Sequence, residues 1–112
     1  MIRPFLKIVL IILVPLFAVF GQTSIVIKNA IIVDGSEVTH PKPHPEAYLL
    51  TASKLAVEPR RCAVFEDSTV GVRAAKNAGM YCVAVRNPNA KSVQDLGPAD
   101  VVVDSFEALL TR

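Results

Sequence analysis

The 112-residue chain has little net charge: 12 Lys and Arg stand against 10 Asp and Glu, a formal +2. That excludes nucleic-acid binding driven by bulk charge. It is also short, with room for one compact domain at most. A disordered composition is lacking too, since 52% of the residues are apolar. Residues 1–21 contain no acid; their charges are Arg3 and Lys7, and residues 22–112 are balanced. The basic excess and the densest hydrophobicity therefore share one segment. The chain reads as an apolar leader (1–21), a short hairpin or linker (22–36) and a neutral globular body (37–112).

The leader lacks the length of a spanning helix. Ile8–Phe20 (IVLIILVPLFAVF) is unbroken and apolar, whereas a span needs about 20 such residues and a secretory core about 7–15. Three readings stand. It is a signal peptide ending near Val19 and Gly21, an anchor making membrane contact through residues 5–20, or a strand buried on both faces of a parallel sheet that stops at Pro15. The first two readings suggest export or membrane anchoring.

From Ser24 the pattern becomes two short apolar runs, Ser24–Ile27 and Ala30–Val33, with turn residues at Lys28-Asn29 and Asp34-Gly35. The stretch IVIKNAIIVDG resembles the opening β-hairpin of amidohydrolases, which in exported members follows a signal peptide. That family's metal centre needs a His-x-His pair. The two histidines here, His40 and His44, are four apart and set among Pro41, Pro43 and Pro45. They read as loop residues, with a metal site as the lesser alternative.

The body alternates strand and helix signals. After the proline loop, Ala47, Tyr48, Leu49, Ala52, Leu55 and Ala56 predict one apolar helical face, stopped by Glu58-Pro59. Cys62–Phe65 predicts a buried strand ending in Glu66-Asp67, and in open α/β sheets that end is where ligands bind. Thr69–Ala78 predicts a helix capped by Ser68 or Thr69 and ended by Gly79, with Val70, Val72, Ala74, Ala75 and Ala78 available for packing. Gly71, in its first turn, leaves room over the strand end. Tyr81–Val85 and Val101–Val103 predict further strands, Val93–Leu96 at most a helical turn, and Phe106–Leu110 a last helix. Arg73, Lys76 and Arg86 read as solvated charges. Cys62 and Cys82 lie at the beginnings of predicted strands and read as small core residues. This order implies an α/β layered domain with a parallel sheet.

Lys42-Pro43-x-Pro45, a helix, and then CAVFEDSTVGVRAAKNAGM (62–80) resemble the C-terminal half of a haloacid dehalogenase-like (HAD) hydrolase. The nearest subgroup is that of β-phosphoglucomutase and sugar-phosphate phosphatases. The resemblance implies a partial Rossmann-like core, a three-layer sandwich with parallel strands, and Mg²⁺-dependent phosphoryl transfer through an aspartyl-phosphate. It implies that Lys42 neutralises the nucleophile and phosphoryl oxygens. It implies that Asp67 is a Mg²⁺ ligand and that Glu66 supports the metal directly or through water. The substrate would be a phosphorylated small molecule.

The chain departs from the family in one respect. The nucleophile motif, a strand ending Asp-x-Asp-x-Thr, is absent, and Val33-Asp34-Gly35-Ser36 lacks the second Asp at the right spacing. Without it no covalent intermediate forms. The expectation is a fragment inactive on its own. The alternatives are half of a split phosphatase completed by a partner chain, or a membrane-anchored interaction module without catalysis. The change of pattern near Asp34–Glu37 is also what a fusion or a gene-model error would produce. The missing nucleophile strand would pair with Cys62–Phe65, so its loss predicts an exposed apolar edge that something must cover. Ile8–Val14 is a candidate within the chain.

Overall fold

The computed structural model of the chain describes residues 10–12, 33 and 35–110. The expected amidohydrolase-like hairpin and the export or anchoring role of the leader fall almost wholly outside these residues. No helix among the described residues is long and apolar enough to cross a membrane.

Four strands form one parallel sheet in chain order: β1 (Leu10–Ile12), β2 (Ala63–Glu66), β3 (Tyr81–Val85) and β4 (Val101–Val103). Val64 lies opposite Cys82 and Glu66 opposite Ala84, while Ala84 lies opposite Val102. On the other side of β2, Leu10 pairs with Ala63 and Ile12 with Phe65. Backbone from the apolar leader thus lies along one edge of β2.

Helices α1 (Glu46–Lys54) and α2 (Thr69–Asn77) pack on one face of this sheet. Side chains alternate along a strand, so Val64 and Glu66 point from β2 into that layer, and both are buried. Tyr48 and Ala52 of α1 meet Val72, Ala74 and Ala75 of α2 there, together with Met80, Cys82, Ala84 and Leu96. The opposite face of β2 carries Phe65, whose ring lies 5.9 Å from Phe106, just ahead of α3 (Glu107–Leu110).

The helices differ from expectation at several points. In α1 the expected face is rotated: Leu49 is 40% exposed and Thr51 is buried, its hydroxyl donating to the Ala47 carbonyl. In α2, Val70 is exposed and Gly71 takes an inward position. Val93–Leu96 forms no helical turn, yet Leu96 still reaches the core.

Both long helices end in the same way. Gly79, at φ 73°, closes α2, with its N–H donating to Lys76 O and that of Met80 to Ala75 O. This six-to-one and five-to-two pattern satisfies the last carbonyls. In α1 the same two bonds run from Ala56 to Ser53 and from Val57 to Ala52, but the left-handed residue is Ala56, at φ 53°. The helix therefore stops before the predicted Glu58-Pro59, and its terminator is a residue with a Cβ.

The charges expected to be solvated are paired. Lys76 donates to Asp100 at 2.7 Å and to the Met80 carbonyl at 3.0 Å, Arg73 to Asp95 at 3.3 Å and Arg86 to Asp104 at 3.1 Å. Asp100 also accepts the Cys82 backbone N–H at 2.7 Å, tying α2, β3 and the turn before β4 together. The Lys76 ammonium, and then that backbone donor, hold its carboxyl below the usual range.

Candidate active site

The site forms where β2 ends, between the proline loop and the start of α2. The predicted strand is shifted by one residue: it runs Ala63–Glu66, not Cys62–Phe65. That shift separates the two acids. Glu66 is the last strand residue, pointing inward at 4% exposure, while Asp67 follows it at the surface end.

A carboxylate this buried needs compensation from charge and hydrogen bonds, and three donors supply it. Lys42 Nζ donates to Glu66 Oε1 at 2.5 Å. The Tyr48 hydroxyl donates to the same oxygen in a short bond. Ser68 Oγ donates to Oε2 at 3.1 Å. Burial, and then the Glu66 charge, push the Tyr48 phenol far above its ordinary value, so it stays a donor. Lys42 also lies over the Tyr48 ring, 5.1 Å from its centroid.

Ser68 does two jobs. Its oxygen donates to Glu66 and accepts the Gly71 N–H at 3.1 Å, capping α2 as the sequence predicts. Gly71 is the position where the strand end leaves no space. A Cβ built there would lie 1.9 Å from Glu66 Oε2 and 2.0 Å from its carboxyl carbon. The expected room over the strand end is room for Glu66 itself.

Asp67 has looser surroundings. Its Oδ2 accepts from Asn87 Nδ2 at 3.3 Å, and its backbone carbonyl accepts a short bond from Gln94 Nε2. Asn87 in turn accepts into its own turn from Asn89 N–H at 2.9 Å and donates its N–H to Gln94 at 3.1 Å. The loop after β3 is thus sewn to the end of β2.

Lys42 sits in the turn ahead of α1, joined to Pro43 by a cis peptide bond. Asn77 Nδ2, at the end of α2, donates to the Pro43 carbonyl at 3.0 Å and holds this loop against the helix. The structure therefore brings Lys42 and Glu66 together, with Asp67 next in the chain. Tyr48, Asn87, Gln94 and Asn77 went unremarked as site residues in the sequence. Only Tyr48 carried a signal: a tyrosine on a buried face must find a partner for its hydroxyl.

Comparison with known proteins adds to this geometry. A family model for haloacid dehalogenase-like hydrolases matches residues 17–79, more than half of the chain. The chain belongs to the haloacid dehalogenase-like hydrolase family. It is 46% identical over 55 residues to the fructose-1-phosphate phosphatase YqaB of Escherichia coli, covering 49% of this chain and 29% of the relative. Among solved structures it is similar to CbbY from Rhodobacter sphaeroides in complex with phosphate, at TM-score 0.62 and 37% identity, over 67% of this chain and 33% of that one. It is also similar to β-phosphoglucomutase from Clostridium difficile, at TM-score 0.56 and 34% identity, over 70% and 35%. The parallel sheet with its helices is a HAD-like α/β fold. The chain spans between 22% and 36% of the length of the curated relatives it matches.

The donor set at the strand end is compatible with Mg²⁺, which takes hard oxygen ligands and keeps several waters. Glu66 and Asp67 are both carboxylates, but their oxygens are not equally open. Each Glu66 oxygen already accepts from protein donors, while Asp67 accepts one long side-chain bond.

Proposed function

We propose that this chain carries the lysine-and-acid half of a HAD-like phosphatase site and that, alone, it does not hydrolyse phosphate esters. The family supports phosphoryl chemistry. The observation that carries the reading is the Lys42–Glu66 pair at the end of β2, preassembled with Glu66 buried and Lys42 half-buried, and with Asp67 beside it. An ammonium has three donors and the bond to Glu66 uses one, so Lys42 is positioned to meet the oxygens of a phosphorylated small molecule. Asp67 would hold Mg²⁺, with Glu66 supporting it through water; the ion would supply charge neutralisation at the phosphoryl group.

The inactivity follows from the nucleophile. No Asp or Glu precedes Asp34, so no acid follows β1 closely; Leu13-Val14-Pro15 come next. A strand without a carboxylate at its end cannot attack phosphorus. A partner supplying the nucleophile strand is a weaker second reading, because β1 already pairs along the β2 edge and would have to be displaced.

Assaying p-nitrophenyl phosphate and sugar-phosphate hydrolysis with Mg²⁺ tests this. Expected is a rate equal to that of Asp67→Ala. Turnover by the purified chain that disappears in Asp67→Ala would overturn the proposal. A stable complex with a second chain, active where the isolated chain is not, would establish the split enzyme instead.

A further inference from the structure

The loop that delivers Lys42 carries a second set of donors. His40 and His44 flank Lys42 in the chain, and their rings stack with centroids 4.5 Å apart and planes 27° apart. Glu46, the first residue of α1, reaches both. One ligand atom from each of His40, His44 and Glu46 lies within 4.8 Å of the other two. Pro41, Pro43 and Pro45 punctuate the segment, and their fixed φ restricts the conformations it can adopt.

The bonds within the cluster bring its donor atoms together. His40 Nδ1 lies 2.7 Å from Glu46 Oε2. A carboxylate can only accept, so Nδ1 carries the hydrogen of this bond. An ion taking the place of that hydrogen would meet Nδ1 and Oε2 together, and the neutral ring would then carry its hydrogen at Nε2. Among the described residues, His44 Nδ1 accepts the Glu46 N–H at 3.2 Å, a long bond that a ligand bond can replace. Glu46 also accepts the backbone N–H groups of Thr39 and His40, each at 2.8 Å. These bonds hold the carboxylate in place.

We propose that His40, His44 and Glu46 form a binding site for a borderline divalent transition ion, Zn²⁺ or Co²⁺, on the loop that carries Lys42. Two imidazoles and a carboxylate are the donors such ions take, with water completing the shell. Mg²⁺ prefers oxygen donors alone, so this site is chemically separate from Glu66-Asp67. The N-terminal end of α1 disfavours a cation; the negative charge of Glu46 offsets that. His40 is 62% exposed at its side chain, so an ion reaches it from solvent. Binding there would fix the backbone on both sides of Lys42.

The test titrates the full chain with Zn²⁺ by calorimetry and with Co²⁺ by visible absorption, in excess Mg²⁺ to occupy the acids at 66 and 67. Expected is one equivalent bound, with affinity lowered about tenfold or more in His40→Gln and in His44→Gln, and kept in Asp67→Asn. A second measurement needs no variant. The chain has two histidines, and trace Cu²⁺ should broaden both of their ring signals in NMR spectra. Absent binding, binding unchanged in both histidine variants, binding lost in Asp67→Asn, or unbroadened histidine signals would each overturn the proposal.

Discussion

Gly71→Ala separates the local rules of helix stability from the demands of the site. Inside an exposed helix the change stabilises by about 1 kcal/mol, because alanine is the better helix former. Here the new Cβ would fall 1.9 Å from Glu66 Oε2. The carboxylate is the far end of a flexible side chain, so it can swing away, but only by leaving Lys42, Tyr48 and Ser68. Two bonds to a buried charge at about 1.5 kcal/mol each, plus about 1 kcal/mol for the serine, total about 4 kcal/mol. Subtracting the helix gain leaves a loss of about 3 kcal/mol. For a domain of this size that lowers Tm by at least about 12 °C. Thermal and urea unfolding followed by circular dichroism read the change. The same substitution in a Glu66→Ala background meets no carboxylate and should become stabilising by about 1 kcal/mol. A neutral or stabilising effect of Gly71→Ala alone, or the same loss in both backgrounds, would refute the reasoning.

Ala56→Gly should stabilise the protein by up to about 1 kcal/mol, since the left-handed conformation costs an L-residue about 1–2 kcal/mol and added unfolded-state freedom returns part of that; urea midpoints at constant slope measure it. Cys62 and Cys82 are free, buried thiols, and burial raises both, Cys82 to about 11. They should resist thiol reagents at pH 8 in native protein and react at once in denaturant. Because the unfolded thiol ionises near its ordinary value of 9.0 and the folded Cys82 only at about 11, its contribution is complete below pH 9 and is lost as pH rises toward 11. A pH series of unfolding midpoints that stays flat across that window would contradict the assignment.

What could be read from the sequence was what is local. Ser68 as a cap, Gly79 as a terminator and the strand–helix–strand order around them depend on neighbours within a turn, and the structure reproduces them. The end of α1 was misplaced for the same reason in reverse: Ala56 carries no turn signal, and only the closing bonds to Ser53 and Ala52 reveal it. The partners of Glu66 lie as far as 24 residues away, beyond any pattern of spacing. The consequential difference is a single residue of strand length. With β2 ending at Phe65, Glu66 and Asp67 both lie beyond the strand, a metal ligand and its support at one open end. With Glu66 inside the strand, period-two alternation carries it to the same face as Val64, beneath α1 and α2. Two adjacent acids then have different physical tasks. Glu66 is a buried charge whose oxygens are already taken and which locks Lys42, Tyr48 and the start of α2 to the sheet. Asp67 is the carboxylate with capacity left for something outside the protein. Loss of Glu66 should therefore register first as stability, and loss of Asp67 first as Mg²⁺ affinity with the fold intact.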